Sequence, residues 1–158
     1  MFLRNTLNKR VFIVNKDGKI QQVPKPLSPR EKDFDENFLQ KLIFDIPELL
    51  PVETINSNYS KLVPINREIS VQSGAIDVLY ITPDGTICIV ETKLWRNPEA
   101  HRTVLAQIIE YARDLSSKSF DEFCEIATKE KQHNAVAAFF RKVKTYVDFN
   151  EEELQSNI

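Results

Sequence analysis

The sequence predicts an α/β domain in which a central sheet is flanked by helices. Residues 74–95 hold two apolar runs joined by Pro83-Asp84-Gly85. This is typical of a β-hairpin, because Pro presets the bend and Gly tolerates positive φ. A segment with helix-capping residues and amphipathic spacing precedes the hairpin. After the hairpin, the residues from Pro98 to Leu115 place apolar side chains on one broad helical face. The predicted fold is therefore organised around a hairpin between two helical segments.

Length and composition indicate a globular chain. It has 158 residues, of which 42% are apolar and 28% charged, so one domain with a substantial core is expected. No apolar run approaches the roughly 20 residues that span a bilayer, and the N-terminus lacks the apolar core of a signal peptide. Cys88 and Cys124 form neither a disulfide framework nor a zinc motif. We therefore expect a cytoplasmic protein without membrane contact.

Charge is distributed unevenly along the chain. The net charge is −2, yet residues 1–30 carry seven Lys and Arg against a single acidic residue, Asp17. A basic N-terminal arm on an acidic body is compatible with phosphate contacts near a carboxylate site. It is equally compatible with an arm that is merely solvated, and both interpretations stay open.

The N-terminal residues predict a hairpin of their own. Arg10 to Val14 and Lys19 to Val23 are short apolar runs, and the Asp17-Gly18 pair between them is a strong turn signal. We therefore divide the chain into an N-terminal β-hairpin arm, residues 1–26, and a domain over residues 27–158. The arm could cover a sheet edge or mediate a homodimer contact.

The domain is predicted to begin with a helix at Ser28. Ser28-Pro29-Arg30-Glu31 combines a capping Ser, a first-turn Pro and a Glu at the third position. The apolar stripe of this helix follows at spacing four, in Phe34, Phe38, Leu42 and Ile46. Alternating residues after it predict the first central strand at about 63–71, and the hairpin supplies strands at about 75–82 and 86–94.

Three charged side chains interrupt the apolar runs of the hairpin. Alternation along a strand places Glu91 and Lys93 on one face, and folding the hairpin back brings Asp77 near Glu91. Isolated buried charges are unfavourable, so such residues persist when they pair or bind a metal ion. Two carboxylates suit Mg²⁺ or Mn²⁺, which prefer oxygen ligands. A structural pair between Lys93 and a carboxylate is the alternative interpretation.

A polar edge runs along the predicted helix over 98–115. Asn97 and Pro98 are typical of a helix start, and Thr103, Gln107 and Tyr111 recur at spacing four. A half-buried Gln amide and Tyr hydroxyl need partners, which a substrate phosphate, a water, an active-site carboxylate or sheet carbonyls would supply. The apolar face of the same helix is expected to be well buried, and comprises Val104, Leu105, Ile108, Ile109, Ala112 and Leu115.

Taken together, these motifs resemble a known family. Asp77 followed by Glu91-x-Lys93 resembles the active-site motif of the PD-(D/E)xK nuclease superfamily, whose members share the restriction-endonuclease-like fold. Gln107-x-x-x-Tyr111 is similar to the Gln-x-x-x-Tyr motif of its RecB-like branch. The resemblance covers roughly Ser28 to Leu115. It departs from the family pattern at Ile76, which stands where the pattern has proline before the aspartate, and many members share this departure.

The resemblance implies a restriction-endonuclease-like mixed central sheet flanked by helices, with residues 27–158 as the nuclease domain. A parallel fourth strand would follow residue 115, either as a short strand or within 121–128. The pattern itself instead predicts helices at Phe120–Lys131 and Asn134–Tyr146. The run after Glu151 shows no closing element, so we expect the chain to be one domain of a longer protein.

The resemblance also implies metal-dependent hydrolysis of DNA phosphodiester bonds. Its catalytic residues would be Asp77, Glu91, Lys93, Gln107 and Tyr111. Its Mg²⁺ or Mn²⁺ ligands would be Asp77, Glu91, the Thr92 carbonyl, and Glu36, Glu68 or both. Lys93 would orient or deprotonate the attacking water, while Gln107 and Tyr111 would position the water or the DNA backbone. For Glu68, a salt bridge with Arg67 or with a neighbouring strand is the alternative.

Two other functions compete with a DNA nuclease. One is a catalytically silent nuclease-fold module that binds DNA or protein, and the other is a metallohydrolase acting on a different phosphate compound. The intact set of Asp77, Glu91 and Lys93 favours catalysis over the silent module. Fold alone does not determine function, so DNA structure, cut position and sequence preference stay open.

Overall fold

The computed structural model describes residues 11–14, 20–23, 35–55, 59, 61–93 and 100–158. The chain divides into two compact units, Met1–Asp33 and Phe34–Ile158. The predicted domain boundary between residues 26 and 27 lies outside the described residues. Within the part of the chain that is described, no helix combines the length and the apolar character needed to cross a membrane.

The first unit contains a two-stranded hairpin. Strand β1 (Val11–Val14) pairs antiparallel with β2 (Ile20–Val23), and Val14 lies opposite Ile20 at the turn end. The five residues between the strands include Asp17-Gly18, the dipeptide that the sequence analysis used as the turn signal.

Among its described residues, the second unit combines one sheet with five helices. In chain order its elements are α1 (Glu36–Asp45), two 3₁₀ turns (Pro47–Leu49 and Val52–Thr54), β3 (Val63–Val71), β4 (Gly74–Ile81), β5 (Ile87–Val90), α2 (Ala100–Ser116), α3 (Phe120–Thr128), α4 (His133–Lys144) and α5 (Glu151–Asn157). The sheet has the order β3-β4-β5, so β4 is central and is paired on both sides. Every residue of β4 from Ile76 to Ile81 is buried, as expected for the middle strand of a covered sheet.

Both strand pairs of this sheet are antiparallel. The mixed sheet implied by the family resemblance is therefore not found among residues 61–93 and 100–158, and residues 121–128 are helical rather than a parallel strand. The reason is local. Ser119 and Glu122 form a complete capping box, and Phe123, Cys124 and Ala127 are buried at helical spacing. The structure thus shows an α/β chain with an antiparallel sheet.

The core lies between the sheet and helices α2 to α5. Residues from all three strands contribute, together with an aromatic group on α3 and α4. The rings of Phe123 and Phe139 meet edge to face at 5.7 Å, and Phe120 packs against Phe139 in the same way at 5.9 Å. Such pairs add about 0.5–1.5 kcal/mol beyond the burial of their area. They join α3 to α4 and so provide a rigid support behind the sheet.

Helix α1 begins later than the sequence predicts. Asp35 is in an extended conformation, and its side chain accepts a hydrogen bond of 2.7 Å from the Phe38 amide, so Asp35 is the N-cap and Glu36 the first helical residue. The predicted capping box at Ser28 lies outside the described residues. A carboxylate directly before the helix satisfies its free amides and interacts favourably with its dipole. Glu36 is thereby placed in the first turn rather than mid-helix.

Helix α2 is less buried than its apolar face suggests. Tyr111 and Leu115 lie in the core, but Leu105 is 62% exposed and Ile109 is 60% exposed, and Ala112 is exposed as well. The expectation that this whole face is buried is wrong. The apolar side chains of α2 cover a wider arc of the helix than the sheet and the other described helices contact. The outer part of this arc is therefore exposed to solvent.

The expectation that residues after Glu151 form no closing element is also wrong, because they form α5. Asn150 caps this helix, and Leu154 is fully buried in the core. Helix α5 packs on the turn between β4 and β5, where Asn157 Nδ2 donates to the Asp84 carbonyl at 2.7 Å. Gly85 in that turn has φ of 91°, and a Cβ there would lie 2.7 Å from the Leu154 carbonyl oxygen.

Candidate active site

The pairing of β4 with β5 brings the first two predicted site residues together. Val78 lies opposite Val90, so the next position in the register places Asp77 opposite Glu91. Strand β5 ends at Val90, short of the predicted residue 94, because the Thr92 amide donates to Asp77 Oδ2 at 2.7 Å instead of to a β4 carbonyl. The Thr92 hydroxyl donates to the same oxygen at 2.8 Å. These bonds fix the buried Asp77 carboxylate.

Lys93 lies between two carboxylates. Its Nζ is 2.8 Å from Glu91 Oε1 and 3.8 Å from Glu36 Oε2. The Glu91 side chain is only 2% exposed, whereas that of Lys93 is 33% exposed. The structure therefore brings the side chains of one cluster together, which we call the acid cluster: Asp77, Glu91, Lys93 and Glu36. The Lys93 side chain extends from this cluster toward solvent.

The charges of this cluster shift one another's pKa values. Burial raises the pKa of Glu91, as do the nearby Asp77 and Glu36 charges, and the hydrogen bond from Lys93 only partly offsets them. The hydrogen bond to Glu91 raises the pKa of Lys93, so its ammonium form is stabilised. The cluster contains three acidic side chains and one lysine, an arrangement that favours binding of a further cation.

Tyr111 of α2 lies near this cluster, and Gln107, one helical turn before it, contacts Tyr111. Tyr111 is 3% exposed, and burial followed by the Glu91 charge raises the pKa of its hydroxyl. Gln107 Nε2 donates to the Tyr111 hydroxyl at 3.5 Å. Gly74 makes room for this arrangement, because a Cβ there would lie 3.1 Å from the Tyr111 hydroxyl and its φ is 151°. A side chain at position 74 would displace the tyrosine.

Glu68 is the predicted ligand that the structure does not join to the cluster. The flanking pairs Arg67–Val78 and Ile69–Ile76 put it in register with Asp77. Its backbone, however, has φ of 50° and its side chain is exposed. Among the described residues it makes no hydrogen bond or ion pair. Arg67, the alternative partner of Glu68, donates to α1 instead.

Two buried acceptors in the cluster have no hydrogen-bond partner among the described residues. They are Glu91 Oε2 and Gln107 Oε1. Leaving a buried acceptor unpaired costs about 1–3 kcal/mol, and more when the group is charged. A cation or a water held in the cleft would remove this cost. Both oxygens are therefore available as acceptors or ligands at the site.

The donor set fits a hard divalent cation with few protein ligands. No group of three or more His, Cys, Asp or Glu side chains in the described part of the chain is placed to hold a metal ion. Asp77 and Glu91 nevertheless supply two carboxylates side by side. Mg²⁺ commonly binds through one or two carboxylates, substrate phosphate and water. Glu36 and the Thr92 carbonyl stay predicted ligands.

A contact that the sequence analysis missed ties α2 to the β3–β4 turn. Asp114 is buried, and its Oδ2 accepts the Ser73 amide at 2.7 Å, while Arg113 donates to the Ser73 hydroxyl at 3.2 Å. Asp114 lies three and seven positions after Tyr111 and Gln107, on the same edge of α2. That spacing was the available signal. The contact holds the turn next to Gly74.

We predict that Asp114→Asn lowers stability in a pH-dependent way. Hydrogen bonding by Ser73 lowers the pKa of Asp114 from its ordinary value of 3.8. A lowered folded-state pKa contributes stability above pH 3.8 that is lost as the pH falls through the folded-state value. Wild type should melt above Asp114→Asn near pH 7, and the gap should close below pH 3.8. A gap that is constant from pH 7 to pH 2.5 would show that the charge does not contribute.

Comparison with models of protein families, with curated proteins and with solved structures found no match to this chain.

Proposed function

We propose that this protein is a metal-dependent nuclease that hydrolyses DNA phosphodiester bonds, with the PD-(D/E)xK superfamily as the family it resembles. One observation carries the proposal. The hairpin places Asp77 and Glu91 side by side, with Lys93 Nζ 2.8 Å from one Glu91 oxygen and the other oxygen buried without a partner. A purely structural ion pair would be expected to satisfy both oxygens.

Asp77 and Glu91 would hold the Mg²⁺ or Mn²⁺ ion. When bound, such an ion supplies positive charge for the phosphate and lowers the pKa of a water molecule. Two hydrogen bonds to one oxygen, Oδ2, fix the Asp77 carboxylate before an ion binds. The carboxylate then needs no reorganisation when its ligand arrives.

The remaining residues of the cluster have separate roles in this proposal. Lys93 keeps its ammonium form and projects toward solvent, so it orients the attacking water and stabilises charge developing on the phosphate. Tyr111 and Gln107 position the water or the DNA backbone from the α2 side, since the Tyr111 hydroxyl lies near the Glu91 charge and accepts a hydrogen bond from Gln107. Glu36 stands beside Lys93 and sets the direction of its side chain.

The proposal is tested by incubating the protein with labelled single-stranded, duplex and branched DNA, with and without Mn²⁺. Cleavage of at least one substrate, dependent on Mn²⁺ and abolished by a chelator, is expected. A parallel assay with small phosphodiesters separates a nuclease from a metallohydrolase of another phosphate compound. Absence of cleavage on all DNA substrates with Mn²⁺ and Mg²⁺ would refute the proposal.

A catalytically silent binding module is the second candidate. It is favoured by the ion pair of 2.8 Å between Lys93 and Glu91, which neutralises one of the acids within the chain itself. Such a module would bind DNA or protein without turnover. DNA binding in a gel-shift assay, together with no cleavage at any Mn²⁺ concentration, would identify it.

A further inference from the structure

Arg67 links the sheet to the first turn of α1. From β3, its Nη2 donates to Asn37 Oδ1 at 2.6 Å, to the Asn37 carbonyl at 3.4 Å and to Gln40 Oε1 at 3.3 Å. Gln40 is buried, although it is a polar residue of a surface helix. The three acceptors therefore converge on one guanidinium nitrogen, and the contact spans about one turn of the helix.

The contact of Arg67 with Asn37 and Gln40, which we call the clamp, is connected to both parts of the acid cluster, the strand part and the helix part. On the strand side, Arg67 lies opposite Val78, the residue next to Asp77. On the helix side, Asn37 follows Glu36, whose carboxylate is 3.8 Å from Lys93 Nζ. A shift of the first turn of α1 would therefore move Glu36 relative to Lys93, while the hairpin that carries Asp77 and Glu91 stays in place.

The position of Arg67 carries a cost in free energy. Its Nε is buried without a hydrogen-bond partner among the described residues, and none of their carboxylates forms an ion pair with it. A merely stabilising side chain at this position could be apolar. Arg holds its donors in a rigid plane, and Nη2 of Arg67 reaches the Asn37 carbonyl together with the side-chain acceptors of α1.

We propose that Arg67 is a positioning residue, which clamps the first turn of α1 to β3 and thereby holds the Glu36 carboxylate against Lys93. The expected effect of the clamp on DNA cleavage rests on the proposed nuclease function. The expected effect of the clamp on the geometry of the cluster is independent of that function, and it can be measured on the protein without metal or DNA.

The first test uses NMR of lysine side chains in the metal-free protein. The Lys93 ε-methylene signal, assigned with Lys93→Arg, should shift when Glu36→Gln removes the nearby charge. Arg67→Met should shift the same signal, and adding Arg67→Met to Glu36→Gln should give no further shift. Arg141→Met removes an exposed arginine of α4 and is the control that should leave the signal unchanged. An unmoved Lys93 signal in folded Arg67→Met would overturn the proposal.

Asn37→Ala is a second variant in case Arg67→Met fails to fold. It removes the acceptor at 2.6 Å from the exposed end of the clamp, so Lys93 should shift in the same direction as in Arg67→Met. If Asn37→Ala leaves the Lys93 signal where it is in wild type, the clamp does not control the cluster and the proposal is wrong.

The second test is the cleavage rate in a double-mutant cycle. Misplacement of a group by about 1 Å can lower turnover about 10²-fold, so Arg67→Met should lower kcat by up to that factor with KM little changed. It should have no further effect in Glu36→Gln. Full activity in Arg67→Met, or a rise in KM alone, would refute positioning. If wild type itself does not cleave DNA, the nuclease proposal fails while the NMR result still decides the clamp.

Discussion

Lys93→Met is expected to lower the rate of DNA cleavage by about 10²–10⁴-fold, the usual contribution of a positioned proton-transfer group. DNA binding should be largely retained, because the carboxylates that hold the ion are unchanged. Single-turnover cleavage with saturating Mn²⁺, alongside a binding assay in Ca²⁺, measures the two quantities separately.

The same variant distinguishes a catalytic cluster from a structural ion pair. Without a divalent ion, loss of Lys93 leaves the buried Glu91 unpaired, and we expect a cost of about 1–3 kcal/mol, since the lysine is 33% exposed and water partly replaces it. With Mg²⁺ the melting temperature should return close to that of wild type, because the ion compensates the acids. Lys41→Met is the control, as it breaks an exposed pair with Asp45 on α1. A Lys93→Met protein that cleaves at the wild-type rate would show that the lysine is structural.

Asp77→Asn is expected to weaken Mn²⁺ binding by more than about 100-fold, because even partners outside the ligand set typically contribute 10–100-fold to metal affinity. Cleavage should fall by orders of magnitude with it. Asparagine keeps the shape and one acceptor oxygen for Thr92, so the fold should survive with a loss of about 1–3 kcal/mol. Isothermal titration calorimetry with Mn²⁺ measures the affinity.

Asp84→Asn is the matched control for this prediction. Asp84 lies in the turn of the same hairpin and bonds to Thr82 and Thr86, away from the acid cluster. Its substitution should leave Mn²⁺ affinity and cleavage near wild type. Equal Mn²⁺ binding by wild type and Asp77→Asn would remove Asp77 from the metal site and leave the proposed mechanism without its first ligand.

The sequence predicted the acid pair because the hairpin is local. A turn dipeptide and two apolar runs set the register, and the register alone determines that Asp77 meets Glu91. The polar edge of α2 was predictable for a similar reason, since spacing four puts Gln107 and Tyr111 on one side of a helix. These roles as catalytic or ligand residues stay predictions.

Contacts between distant segments were not predictable in this way. Arg67 and Asn37 are 30 positions apart, and Asp114 and Ser73 are 41 apart, so no periodicity links them. The start of α1 was placed too early because the capping box at Ser28 precedes it in the sequence, whereas the structure shows Asp35 capping the helix. The sheet was expected to be mixed because that expectation came from a resemblance, whereas residues 119–128 carry their own helix signals.

The packing of α5 on the hairpin turn gives the site an order of assembly. β4 and β5 are joined by a short turn, so the acid pair can form early in folding, on the microsecond scale of hairpins. Asn157 reaches Asp84 across 73 positions, and closing so long a loop carries a larger entropy cost. Segments that dock last over long separations are often the first to open from the native state. Detachment of α5 would therefore release the Asp84 carbonyl at the turn while Asp77 and Glu91 remain opposite each other across the strands.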